Sequence, residues 1–152
     1  MARVEDHIAL ANRHQEALSA LLADGGEHAE WVTVIAFYKA LQIVDACLVT
    51  LGVGVPSDHG ERGHMLRSVS RLDHISTHYW VLKNAASIAR YLADSRGARY
   101  RSFSDYLPPG QAERQMVRHR LAQIEKSARG ILKRHADSLV PAVVPAPQAN
   151  PK

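Results

Sequence analysis

The chain has 152 residues, a length that fits one domain. Hydrophobic residues at 46% and charged residues at 22% match ordinary globular usage and exclude wholesale disorder, while 6% aromatics are too few for the stacking platforms of many single-strand binders. Nineteen Lys+Arg against fifteen Asp+Glu give a net +4 with nine histidines neutral, which permits an anionic partner without demanding one.

Periodicity is helical throughout, with no alternating strand pattern. The first helix is expected over about Val4 to Ala23, with Val4, Ile8, Ala11, Leu18 and Leu22 on one face and Asp24-Gly25-Gly26 as its stop. The second runs from about Ala29 to Leu51 and is apolar nearly all round, through Trp31, Val34, Ile35, Tyr38, Leu41, Val44 and Leu48. Such a helix belongs at the centre of a bundle. Its length would also fit a bilayer, but Lys39 and Asp45 near mid-membrane would each cost about 2.5–3.5 kcal/mol, so a soluble core is expected and no membrane. Lys39, Gln42 and Asp45 fall three apart and are expected to share one exposed or interfacial stripe. Cys47, the single cysteine, excludes an internal disulfide framework and reads as an inert buried thiol suited to a reducing compartment.

Gly52-Val-Gly-Val-Pro56 breaks the chain, and Asp58 followed by Glu61 predicts a capped helix from about His59 to Ser70. A bend separates it from a helix over about Asp73 to Arg96, whose core stripe is Ile75, Tyr79, Leu82, Ala86 and Ala89. Pro108-Pro109-Gly110 precedes the last helix, about Gln111 to His135, with Val117, Leu121, Ile124, Ala128 and Ile131 inward and seven Lys+Arg against two Glu up to Ala136. Four of the seven prolines lie in the last twelve residues. The expected organisation is an all-α, up-and-down bundle of four to five helices over residues 1–136, with a Pro-rich disordered or extended tail over 137–152. The first residues, Met1 to His7, carry no secretory signal pattern, and a cytoplasmic location is expected.

Two stretches resemble the HEPN family of small helical bundles. One is Val32-Thr-Val-Ile-Ala-Phe-Tyr-Lys-Ala-Leu41 with Asp45-Ala-Cys-Leu48, followed by the loop bearing Pro56 and His59. The other is Leu92-Ala-Asp-Ser-Arg96-Gly-Ala-Arg-Tyr100. The resemblance covers roughly Ala29 to Leu132 and implies a homodimer, with either metal-independent endoribonuclease activity of toxin–antitoxin or defence type, or binding of nucleotides or partners. The family's catalytic members carry Arg-x(4–6)-His, but after Arg96 that window holds Arg101, Ser102 and Phe103, with no histidine. The spacing occurs elsewhere at Arg67/His74, Arg71/His78, Arg114/His119 and Arg129/His135, where chance would supply about two or three.

Metal-free RNA cleavage needs a base for the 2′-hydroxyl proton and a cation on the phosphate, roles that His and Arg fill. The candidates for catalysis are therefore Arg67 with His74 and Arg62 with His59, converging across a dimer. Candidates for nucleotide or nucleic-acid contact are His59, Arg62 and His64 at a helix start, and Arg90, Arg96, Arg99, Tyr100 and Arg101, four arginines with an adjacent tyrosine. His74 and His78 have metal-ligand spacing but no Glu or Cys partner, so no metal and no cofactor is expected. The favoured reading is a HEPN-like dimeric module binding RNA, nucleotide or a partner protein such as an antitoxin. The alternatives are an active endoribonuclease and a purely structural dimerisation scaffold with Lys39, Gln42 and Asp45 near the interface.

Overall fold

The computed structural model describes residues 3–23, 29–93 and 111–142. They form an all-α bundle of five α-helices: α1 (Val4–Ala23), α2 (Ala29–Thr50), α3 (His59–Ser68), α4 (Asp73–Ala93) and α5 (Gln111–Leu132). Two short 3-10 segments, Ser70–Leu72 and Lys133–Ser138, follow α3 and α5. There is no strand among the described residues.

The near-uniform hydrophobicity of α2 puts it at the centre, packed against α1, α4 and α5. Its residues Val32, Ala36, Phe37, Ala40, Ile43, Val44, Ala46, Cys47 and Leu48 are buried in one continuous core. Trp31, one of the apolar residues of that helix, lies 46% exposed near the N-terminal end of α2. The stripes expected for α4 and α5 are buried in full. On α1, His7 and Gln15 join Ile8, Ala11 and Leu18 on the inner face, whereas Val4 and Leu22 are only partly covered. Side-chain bonds from His7 to Gln42 and from Lys39 to Gln15 run in opposite chain directions, so α1 and α2 are antiparallel.

Local signals act where expected. The Asp58 side chain accepts from Glu61 N at 2.7 Å to cap α3, and the Ser57 hydroxyl donates to Glu61 Oε2 at 2.6 Å. Gly52, at φ +73°, ends α2: Val53 N donates to Leu48 O and Gly52 N to Val49 O, the two bonds of a left-handed helix cap.

The stripe Lys39, Gln42 and Asp45 is not exposed: Lys39 and Asp45 are buried and Gln42 is half-buried. Steps of three residues rotate by about 60° around the axis, so the side chains fan apart: Lys39 reaches α1 and α5, Gln42 reaches α1, and Asp45 reaches α3. Lys39 is fully buried and donates to Gln15 Oε1, to Glu125 Oε1 at 2.6 Å and to Val140 O. Gln42 bonds His7 Nδ1, and Asp45 pairs with Arg62.

Residues 139–142 run on in extended form against the bundle. Leu139 is buried, Asn12 bonds both Ser138 O and Val140 N, and Arg129 donates to Ala136 O and Leu139 O. Ala142 N donates to Glu125. Side chains of α1, α2 and α5 thus satisfy backbone groups of this extended piece that have no helical partner.

Candidate functional site

The best-formed cluster of candidates lies at the start of α3. Arg62, one turn into the helix, is 7% exposed and turns inward to Asp45 of α2, with Nε to Oδ1 at 2.8 Å and Nη2 to Oδ2 at 3.0 Å. This two-point geometry fixes the guanidinium plane. Burial favours the uncharged form of Arg62, but the bonds and charge of Asp45 outweigh it and raise the pKa above the usual arginine value. Arg62 is thus held as a permanent buried cation rather than as a surface residue free to clamp a ligand.

Its remaining nitrogen, Nη1, lies 3.3 Å from His59 Nδ1. Arginine has no acceptor, so in this contact His59 Nδ1 must accept, and a neutral His59 carries its proton on Nε2. His59 is exposed at the rim, and its ring packs 6.0 Å from that of Phe37. Partial burial lowers its pKa first, followed by the charges of Arg62, Lys83 and Arg90; Asp58 opposes them. At neutral pH the site therefore presents a neutral imidazole N–H beside three cations.

Helix α4 supplies the other side. Tyr79, Lys83 and Arg90 are spaced at i, i+4 and i+11 and so share one face. The Tyr79 hydroxyl is buried beside Arg62 with no hydrogen-bond partner among the described residues, and burial raises its pKa although Arg62 pulls it back. Lys83 Nζ lies 4.8 Å from the Trp80 ring centre and Arg67 Cζ 5.7 Å from it. The indole also covers Gly63 so closely that a Cβ there would stand 2.6 Å from Trp80 Cζ2.

Of the residues singled out in the sequence, His59 and Arg62 meet within one chain, without a dimer. His64 is exposed on α3. Arg67 and His74 have different partners: Arg67 rests on Trp80, whereas His74 meets His78 edge-on at 4.6 Å between ring centres. His78 is buried. Arg96, Arg99, Tyr100 and Arg101 lie outside the described residues. Among the described residues, no group of three or more His, Cys, Asp and Glu is placed to hold a metal ion. Sequence reading missed Lys83 and the role of Asp45; the i+4 spacing from Tyr79 to Lys83 is the signal that could have found the former.

Over Glu30–Thr50, helix α2 is long and apolar enough to cross a membrane, but most of it is buried inside the protein. Its two central charges are both held by internal ion pairs. No family model, curated protein or solved structure matches the chain.

Proposed function

We propose that the chain is a HEPN-like module that acts as a homodimer and binds the phosphates of RNA or a nucleotide at the His59 cluster. The setting is a toxin–antitoxin or defence system of the cytoplasm, with an antitoxin or similar protein as a further partner. Support comes from the two family-like stretches and from the helical bundle. The observation that carries the binding is the line Asp45–Arg62–His59: a buried carboxylate fixes a buried guanidinium, which fixes an exposed imidazole. Lys83 and Arg90 add positive charge on the same imidazole. A neutral His59 offering Nε2–H among cations is a donor set suited to phosphate oxygens.

The second reading, a metal-independent endoribonuclease, draws on the same pair, because the lowered His59 pKa keeps the imidazole neutral near pH 7. Against it, the Arg62 contact occupies Nδ1 and leaves the proton on Nε2, which suits donation better than proton abstraction. Lys39, Gln42 and Asp45, the stripe on which the scaffold reading rests, are engaged in internal bonds, which favours the binding reading over it.

The test is incubation of the purified protein with labelled single-stranded RNA in EDTA, beside His59→Ala and the double variant Lys83→Gln/Arg90→Gln. Salt-sensitive retention without cleavage, weakened in both variants, is the expected result. Cleavage abolished by His59→Ala would instead establish the enzyme. Neither binding nor cleavage would leave the scaffold.

A further inference from the structure

The opposite flank of α4 carries a second cluster that the His59 site does not use. His78 of α4 forms its floor and is 7% exposed. Its ring stands edge-on to His74 at 4.6 Å and to His119 of α5 at 6.2 Å between centres. Arg120 Nη1 lies 3.0 Å from His78 Nδ1. His74 and His119 are exposed and Arg120 is half-buried, so the rim is open to solvent above a buried floor.

Every group here donates or can become positive. Arg120 can only donate, so a neutral His78 accepts at Nδ1 and holds its proton on Nε2. Arg120 Nε is buried without a hydrogen-bond partner among the described residues, so the guanidinium's donors are not all used. The charged and titratable groups acting on His78 are His74 of its own helix and Arg120 and His119 of α5, with no carboxylate among them. Two helices thus bring three imidazoles and a guanidinium together with no carboxylate among the described residues to neutralise them. A structural ion-pair network would place an Asp or Glu at such a point, as Asp45 and Glu125 are placed elsewhere in this bundle.

We propose that His74, His78, His119 and Arg120 form a binding site for a tetrahedral oxyanion, a phosphate or phosphomonoester, distinct from the His59 site. Arg120 and the imidazole N–H groups donate to its oxygens, and the anion supplies the negative charge that the cluster lacks. Burial and the three basic neighbours lower the His78 pKa in the empty protein. Anion binding must raise it again, and by reciprocity protonation must tighten the anion. The site is therefore stronger in mild acid.

The experiment follows the histidine ring resonances of the full chain by NMR during titration with sulfate, whose charge stays constant over the range, at about pH 7.5 and about pH 5.5. Parallel titrations use inorganic phosphate, AMP and adenosine. The expected result is saturable movement of the His78 and His119 rings, with sulfate affinity about three- to tenfold higher at the lower pH, since one protonation is linked to binding. His119→Ala and Arg120→Gln, both at solvent-accessible positions, should each abolish the movement of the His78 ring while leaving any response of His59, which belongs to the other site, as in the wild type. AMP should act like phosphate if a phosphomonoester is accepted, and adenosine should do nothing. Rings that stay unmoved by sulfate and phosphate in the wild-type protein, shifts that persist in both variants, or an equal response to adenosine would overturn the proposal.

Discussion

Asp45 on the central helix and Arg62 on α3 form a two-point ion pair with both side chains almost wholly buried, and this pair joins the core to the candidate site. Removing one partner strands the other charge in the interior. Asp45→Ala is expected to destabilise the protein by about 3–5 kcal/mol, whereas a paired apolar replacement of both residues should recover most of that loss. Denaturant unfolding of the single and double variants measures the difference, and additive losses would show that the two residues do not act as a pair.

Tyr79 offers the opposite case. Its ring is fully buried against Phe37, at 5.6 Å between centres, yet its hydroxyl has no hydrogen-bond partner among the described residues. Removing an unsatisfied buried hydroxyl relieves its desolvation cost, so Tyr79→Phe should be neutral or stabilising by up to about 1–2 kcal/mol. Thermal unfolding checks this, and a clear loss of stability would mean that the hydroxyl bonds Arg62 in solution.

Lys39 and Glu125 hold the last described residues as well as each other. Burial lowers the Lys39 pKa, and the contact with Glu125 opposes that shift. Lys39 also bonds Val140 O, and Glu125 accepts from Ala142 N. Lys39→Met should therefore free the segment around residues 139–142 in addition to leaving Glu125 buried and unpaired, at a cost of about 3–5 kcal/mol. Hydrogen exchange at the Val140 and Ala142 amides should accelerate far more than at mid-α2 amides; uniform acceleration would argue against a local role.

The expected pH response follows from three histidines. His14, His59 and His78 all have pKa values below the ordinary 6.5, chiefly through burial, with neighbouring cations adding to it. A lowered folded-state value means that the unfolded chain takes up protons first. The histidine contribution is therefore complete above pH 6.5 and declines as pH falls through that value towards the folded pKa values. Guanidinium midpoints measured between about pH 7.5 and about pH 5.5 should fall on acidification. Constant or rising midpoints would contradict the folded-state assignment.

Much of the bundle is legible from local chemistry. The period of the apolar residues sets the helices, Asp58 caps α3 within three residues of itself, and Cys47 is buried with its thiol pushed up to about 12. What stays hidden depends on partners distant in sequence. Lys39 reads as an exposed polar residue until α5 brings Glu125 to it across 86 positions, and Asp45 until α3 folds Arg62 back. Arg62 resembles a surface cation for the same reason: the helix start is polar, but its inward face points at a carboxylate. His78 and Arg120 meet only because α4 packs on α5, across 42 positions that no short motif spans. The i, i+4 pair His74 and His78 was visible, but its third imidazole and its guanidinium were not.

Salt dependence of RNA retention tests the central claim most directly. If Lys83 and Arg90 contribute to phosphate binding at the His59 cluster, each Gln substitution should weaken retention and reduce the slope of log affinity against log salt by about one. His59→Ala should weaken binding with a smaller change in slope, because a neutral imidazole releases no counterion. Retention and slope unchanged in the Lys83→Gln/Arg90→Gln protein, with its fold intact, would contradict phosphate binding at this site.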